Sequence, residues 1–153
     1  MCFICALKGK DLHKLGISGY RSLTETIDAA NSASTSYSLS TGESFYGSIS
    51  SRGDKDWVSI SLEAGDEYQF DLKGRYSGEG TLIDTYLRLY DSSGILVAYD
   101  DDSGASYESK LNYQAVSSGT YYLSASAYSY YDTGTYLLTA SLIRSYGESQ
   151  PND

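Results

Sequence analysis

From about residue 43 to residue 143, apolar and polar side chains alternate with a period of two, in short runs separated by turn residues. This period places alternate side chains on opposite faces of a β-strand. The runs recur every 8–15 residues, and no long helical pattern interrupts them. The predicted strands are 44–50, 56–62, 67–74, 85–91, 95–100, 110–116, 120–128 and 134–143. The sequence therefore predicts an all-β, jelly-roll-like β-sandwich of about eight antiparallel strands.

Two segments without this alternation flank the predicted sandwich, which spans residues 43–143. Residues 1–42 form an irregular N-terminal segment or linker, and 144–153 form a C-terminal linker. Within the first segment, "SLTE" at 22–25 has capping-box spacing and predicts one short helix reaching Ala30. Cys2, Cys5 and His13 supply three of the four ligands of a structural zinc site. We therefore interpret the cysteines as part of a reduced terminal segment.

Composition limits the classes of partner. The chain has 20 acidic and 11 basic residues, a net charge of −9. Nucleic acids and anionic membrane surfaces need cationic patches, so both are disfavoured. No apolar stretch approaches the roughly 20 residues of a membrane span. The 17 tyrosines, against 3 phenylalanines and 1 tryptophan, suit half-buried strand faces. This acidic, Tyr-rich and Gly-rich composition is typical of exported bacterial proteins.

Enzyme motifs are absent from the sequence. The single histidine, His13, lies outside the patterned region, and neither H-E-x-x-H nor G-x-S-x-G occurs. We predict no catalytic residues. A hydrolase that uses two carboxylates is the least favoured alternative, and it requires a concave pocket with two facing acids.

Acidic residues cluster at two places. In "GDKDW", Asp54 and Asp56 are one residue apart, so their carboxylates can converge on an extended chain. Asp84 and Asp100–Asp102 form a second group, joined through the 91–94 hairpin. Calcium takes six to eight hard oxygen ligands, which both groups supply in part. The alternative is that these turn aspartates cap backbone amides and remain solvated.

Several ordered motifs make residues 43–142 resemble the bacterial pre-peptidase C-terminal domain. They are G-D-x-D-W, A-G-x-x-Y-x-F-D-L, D-x-Y-L-R-L-Y-D, D-D-x-S-G, and S-G-T-Y-Y-L followed by G-T-Y-x-L. The resemblance implies a non-catalytic jelly-roll sandwich, found beside the catalytic domains of secreted bacterial peptidases. Some members of this family bind calcium, and the collagen-binding domains of clostridial collagenases are structurally similar.

The resemblance also suggests roles for individual residues. The acids that match its motifs are Asp54, Asp56, Asp84, Asp101 and Asp102. An acid of the preceding linker, such as Asp28, would complete the first ligand set, and Asp100 belongs to the second. The implied function is a calcium-binding accessory domain that aids folding, stability or targeting. The alternative is a collagen-binding or polysaccharide-binding module that uses exposed tyrosines: Tyr86, Tyr90, Tyr128, Tyr130 and Tyr131.

The start "MCFIC" resembles exported proteins of marine proteobacteria that use type I secretion. We therefore expect a secreted, extracellular protein without an N-terminal signal peptide. The expected partner is a catalytic domain of the same longer polypeptide, such as a metalloprotease. An extracellular protein or polysaccharide is a further expected partner.

Overall fold

The computed structural model describes residues 21–145, and the positions of Cys2, Cys5, His13 and residues 146–153 lie outside this range. The described part contains nine β-strands. They are β1 (Ser22–Thr24), β2 (Ser44–Ile49), β3 (Lys55–Leu62), β4 (Glu67–Lys73), β5 (Thr85–Tyr90), β6 (Leu96–Asp100), β7 (Ser109–Gln114), β8 (Gly119–Ala127) and β9 (Gly134–Arg144). Strands β2 to β9 correspond to the eight predicted segments.

The strands form two sheets that pack face to face. The five-stranded sheet has the order β1-β2-β9-β4-β7, and the four-stranded sheet has the order β3-β8-β5-β6. Every pair is antiparallel except β1 with β2. The chain crosses between the sheets after β2, β3 and β4, and again after β6, β7 and β8. The prediction of an all-β sandwich is confirmed.

The segment before β2 differs from the prediction. Ser22–Thr24 is a strand that pairs in parallel with β2, where the sequence predicts a short helix. The Glu25 carboxylate, which would close a capping box on Ser22, instead accepts hydrogen bonds from the amides of Ala29 (2.7 Å) and Ser48 (2.8 Å). The Glu25 amide donates to the Tyr46 carbonyl, which continues the pairing. Pairing with an open sheet edge outweighs the weak local helix signal.

The core lies between the two sheets and follows the predicted alternation. Val58, Ile60 and Leu62 of β3 point inward and are at most 2% exposed. Phe45, Phe70 and Leu138 fill the opposite sheet and are completely buried. Burying one such side chain contributes roughly 1.5–3 kcal/mol. Asp56 shares the inward face of β3 with these residues, so its carboxylate lies at the end of the core.

The segment between β1 and β2 covers the free edge of β3. The Trp57 amide donates to the Ala30 carbonyl, and the Ser59 amide donates to the Tyr37 carbonyl. The Tyr37 hydroxyl closes the intervening loop, because it donates to the Ile27 carbonyl at 2.8 Å. These bonds hold the 25–30 turn against the start of β3. Among the described residues there is no helix long and apolar enough to cross a membrane.

Candidate functional site

The carboxylate of Asp56 is buried near the start of β3, on the inward face of the strand. It is 0% exposed, although an isolated buried charge is costly. Its Oδ2 accepts a 2.7 Å hydrogen bond from the Tyr136 hydroxyl of β9. Its Oδ1 is also buried and has no hydrogen-bond partner among the residues that the structure describes. One oxygen of this buried carboxylate therefore accepts no hydrogen bond from the described residues.

Two further acids of the 25–30 turn face Asp56. One carboxylate oxygen each from Glu25, Asp28 and Asp56 lie within 4.8 Å of one another. Asp54 is next to them, since the charge of Asp28 and a side-chain hydrogen bond with it both raise the pKa of Asp54. Its Oδ2 also accepts from the Ser50 amide at 3.1 Å. We call Glu25, Asp28, Asp54 and Asp56 the first acidic group.

The first acidic group is electrostatically strained when no cation is present. Burial, followed by the neighbouring Glu25, Asp54 and Asp28 charges, raises the pKa of Asp56 from 3.8 to about 8, against the lowering effect of Tyr136. Burial likewise raises the pKa of Glu25 and of Asp54. Within residues 21–145, no cationic side chain forms an ion pair with these acids. A site that concentrates negative charge in this way is suited to a cation with hard-oxygen preference.

A second acidic group lies at the start of β5 and the end of β6. Carboxylate oxygens of Asp84, Asp101 and Asp102 lie within 4.8 Å of one another. Oδ1 of Asp84 and Oδ1 of Asp101 have no partner among the described residues. Burial and the Asp84 and Asp102 charges raise the pKa of Asp101 to about 7. Unlike Asp56, none of these three side chains is fully buried.

Asp100 is not in the second acidic group, although it is the first residue of the "DDD" sequence. Its carboxylate accepts hydrogen bonds from the Ser103 amide (3.0 Å), the Ser103 hydroxyl (2.6 Å) and the Lys110 amide (2.9 Å). It therefore caps the turn after β6 and ties this turn to β7, as turn aspartates commonly do.

The five predicted binding tyrosines divide between a sheet face and a loop. Tyr86 and Tyr90 lie half-buried on the outer face of the four-stranded sheet, and Tyr90 stacks on Trp57 with centroids 4.4 Å apart. Tyr128 is exposed and lies nearly parallel to Tyr86, with centroids 5.9 Å apart. Tyr130 and Tyr131 are more than 60% exposed in the β8–β9 loop and contact each other edge to face.

The hydrolase alternative requires a pocket with two acids, and one cavity beside the five-stranded sheet has two acids in its wall. This cavity, of about 490 Å³, lies beside β4 and β7 and includes Asp71 and Glu108 in its wall. Oε2 of Glu108 is engaged by the Gly74 amide and by the amide and hydroxyl of Ser77. Asp71 accepts from Gln69 at 3.0 Å. Both acids therefore have hydrogen-bonding roles that hold loops and strands in place.

Two residues of this site are not identified by the sequence. They are Glu25, which belongs to the first acidic group, and Tyr136, which donates to Asp56. The capping-box spacing of 22–25 predicts Glu25 at the start of a helix, and no motif distinguishes Tyr136 from the other residues of its predicted strand. The alternation of β9 does place Tyr136 on the inward face. A buried tyrosine hydroxyl needs a partner, which is a usable sequence signal. Nothing local identifies Asp56 as that partner, because the two residues are 80 positions apart.

Residues 54–127 match the family model of the bacterial pre-peptidase C-terminal domain. The resemblance seen in the sequence is thereby confirmed over this range. The matched range contains Asp54, Asp56 and the second acidic group. It does not contain Glu25 or Asp28.

Two solved structures are similar to this chain, and the first of them supports the fold. The pre-peptidase C-terminal domain of collagenase from Bacillus anthracis matches with a TM-score of 0.51 and 22% identity, covering 69% of this chain and 93% of that chain. PliG, a periplasmic inhibitor of g-type lysozyme from Aeromonas hydrophila, matches with a TM-score of 0.48 and 9% identity, covering 78% of this chain and 99% of that chain. No curated protein matches the sequence.

Proposed function

We propose that this chain is a calcium-binding, non-catalytic accessory domain of a secreted bacterial peptidase or exported protein. The observation that carries the calcium assignment is the buried, unpartnered Oδ1 of Asp56, whose carboxylate lies near those of Glu25 and Asp28. The family match of residues 54–127 supports the accessory role and the extracellular location.

The first acidic group fits calcium in charge and in ligand type. Its four carboxylates are hard oxygen ligands, and calcium accepts six to eight of these in a flexible geometry. The Asp56 carboxylate is completely buried, so a bound ion must lose water on that side. Magnesium releases water reluctantly, which favours calcium here. Tyr136 holds Oδ2 of Asp56 and leaves Oδ1 available to the ion.

A calcium ion in this position would join the N-terminal segment to the sandwich. Glu25 and Asp28 belong to the turn that follows β1, whereas Asp54 and Asp56 belong to the start of β3. The ion would replace mutual repulsion of these acids by attraction to one centre. The domain would thereby be stabilised where extracellular calcium is available, by mass action on the folded state.

The second acidic group is the alternative position for calcium. Its carboxylates also converge, but they are only partly buried, and Asp102 is exposed. A buried carboxylate without a partner costs more than an exposed one, so the need for a counter-ion is greatest at Asp56. We therefore assign calcium to the first acidic group.

The test is a calcium titration of the protein and of two matched variants, Asp56→Asn and Asp101→Asn. Binding is measured by calorimetry in a chelator-treated buffer, with magnesium as the competing ion. We expect Asp56→Asn to abolish binding and Asp101→Asn to leave it nearly unchanged. The reverse pattern would move the site to the second acidic group. No heat and no rise in melting temperature at millimolar calcium would refute the proposal.

A further inference from the structure

A small cationic cavity lies at the end of the four-stranded sheet, next to the exposed tyrosines. Its volume is about 150 Å³. Arg88 of β5, Lys55 of β3 and Tyr128 contribute to its wall, and Tyr130 closes its loop side. Arg52 precedes the lining residue Gly53, and its guanidinium lies 5.2 Å from the centre of the Tyr131 ring. Two cations and one carboxylate, that of Asp54, thus line this cavity on a chain whose net charge is −9.

Arg88 is held in place but has unused hydrogen-bonding capacity. Its guanidinium lies 4.1 Å from the centre of the Tyr86 ring, and Nη1 donates to the Ser126 hydroxyl at 3.2 Å. A guanidinium has five N–H donors, and this is the one hydrogen bond that it forms within residues 21–145. In the same range no carboxylate forms an ion pair with Arg88, Arg52 or Lys55. A fixed, half-buried arginine with free donors is a preformed binding site for a carboxylate, which accepts from its N–H groups.

The surrounding wall is rigid and carries aromatic rings and hydroxyls. Gly53 has a φ of +75° and donates its amide to the Tyr130 carbonyl at 3.0 Å. A side chain at position 53 would collide with the Tyr130 ring, so the β2–β3 loop packs closely on Tyr130. Tyr99, Tyr86 and Tyr128 form a row of nearly parallel rings, with centroids 6.0 and 5.9 Å apart.

From this arrangement we propose that the cavity binds a carboxylate of an acidic, uronate-containing polysaccharide. The cavity is smaller than the roughly 300–1,000 Å³ that encloses a drug-sized ligand. It therefore suits one group of a longer ligand that continues across the tyrosine row. A uronate residue combines a carboxylate for Arg88 with a ring whose apolar face can pack on tyrosine. Its hydroxyls meet the Ser126 and Ser129 side of the cavity.

An acidic peptide is the competing ligand, and the strand edges argue against it. Extended peptides commonly bind by adding a strand to an open sheet edge. The cavity lies instead on a sheet face formed by side chains. The edge of β3 nearest to it is already covered by the Ala30 and Tyr37 carbonyls. Asp54 also lines the cavity, but its carboxylate is engaged by Ser50 and Asp28.

The experiment measures binding of the full chain to three probes by calorimetry, in buffer with about 1 mM calcium to keep the first acidic group loaded. The probes are hyaluronan oligosaccharides, neutral chitooligosaccharides of similar length, and poly-L-glutamate. We expect binding of hyaluronan alone, weakened several-fold by raising the salt concentration from about 50 to 300 mM. No binding of hyaluronan, or equal binding of the neutral sugar, would overturn the proposal. Equal or tighter binding of poly-L-glutamate would reassign the site to acidic peptides.

Two variants and one control connect binding to the cavity. Loss of a charge-assisted pair lowers affinity by at least about tenfold, so we expect this loss for Arg88→Gln. Lys55→Gln should give a smaller loss, and it keeps the proposal testable if Arg88→Gln does not fold. Arg75→Gln removes the same charge from an exposed loop away from the cavity and should leave affinity unchanged. An equal loss in all three variants would show that binding follows net charge and would overturn the site.

Discussion

Replacing Asp56 by asparagine should change stability in opposite directions with and without calcium. Without calcium at pH 7, folding must place a proton on Asp56, whose pKa rises from 3.8 to about 8 on burial. The pH of 7 lies about three units above the ordinary pKa of 3.8. Placing this proton on Asp56 therefore costs the folded state roughly 4 kcal/mol, at 1.4 kcal/mol per unit. Asparagine is neutral and of nearly the same shape, so it avoids this cost.

The gain in the variant is smaller than that figure, because the asparagine amide brings its own buried donors. An unsatisfied donor costs about 1–3 kcal/mol, so a net gain of about 1–3 kcal/mol remains. With calcium the sign reverses. The wild-type protein gains about 4.1 kcal/mol when calcium reaches about a thousand times its dissociation constant, which exceeds the advantage of the variant, and the variant gains nothing.

Urea unfolding followed by the fluorescence of Trp57 measures both effects. Trp57 is the single tryptophan of the chain and is adjacent to Asp56. Asp101→Asn is the matched control, because it removes one carboxylate from the second acidic group. A variant that is less stable than wild type in chelator, or that keeps the calcium response, would refute the assignment of the buried ligand.

Three further predictions concern the surroundings of Asp56. Because of Asp56, the folded state holds more protons than the unfolded chain between pH 4 and 8. Without calcium, the free energy of unfolding should therefore fall as pH rises through this range. Urea titrations at each pH should show this decrease in chelator and not in calcium. Tyr136→Phe leaves Oδ2 of Asp56 unpaired and should cost about 1–3 kcal/mol in chelator, measured by the same titration. Gly47→Ala places a methyl group against the Tyr136 ring and hydroxyl, so calorimetry should show weakened calcium binding and thermal melting a lower melting temperature. A flat pH profile, an unchanged Tyr136→Phe stability, or full calcium affinity in Gly47→Ala would contradict the respective arguments.

The strands were predictable because their faces differ in chemistry. In β3 the inward residues Val58, Ile60 and Leu62 alternate with Trp57 and Ser59, and a shift of one residue would bury the wrong set. The short strand β1 was not predictable. Its three residues carry no periodicity of their own, and they are ordered by pairing with β2.

The candidate site was predictable in part. The alternation of Asp54 and Asp56 correctly placed both carboxylates at the start of one strand, and Asp84 does meet Asp101 and Asp102. Local spacing also placed Asp100 in that group, whereas its hydrogen bonds hold the turn. Glu25 was beyond reach because its position depends on parallel pairing with a strand that follows about 20 residues later.

One segment connects the two proposed sites, and this gives a last prediction. Alternation at the start of β3 directs Asp56 to the core and Lys55 to the outer face, while Asp54, just before the strand, belongs to the first acidic group and also lines the cationic cavity. Calcium would neutralise Asp54 and so remove a negative charge from beside Arg88. Hyaluronan oligosaccharides should therefore bind more tightly in calcium than in chelator, by about fivefold or more for a coupling free energy of at least 1 kcal/mol. Linkage requires that saturating oligosaccharide tighten calcium binding by the same factor, measured by calorimetry. Equal affinities in both buffers, with the fold intact by circular dichroism, would show that the two sites act independently.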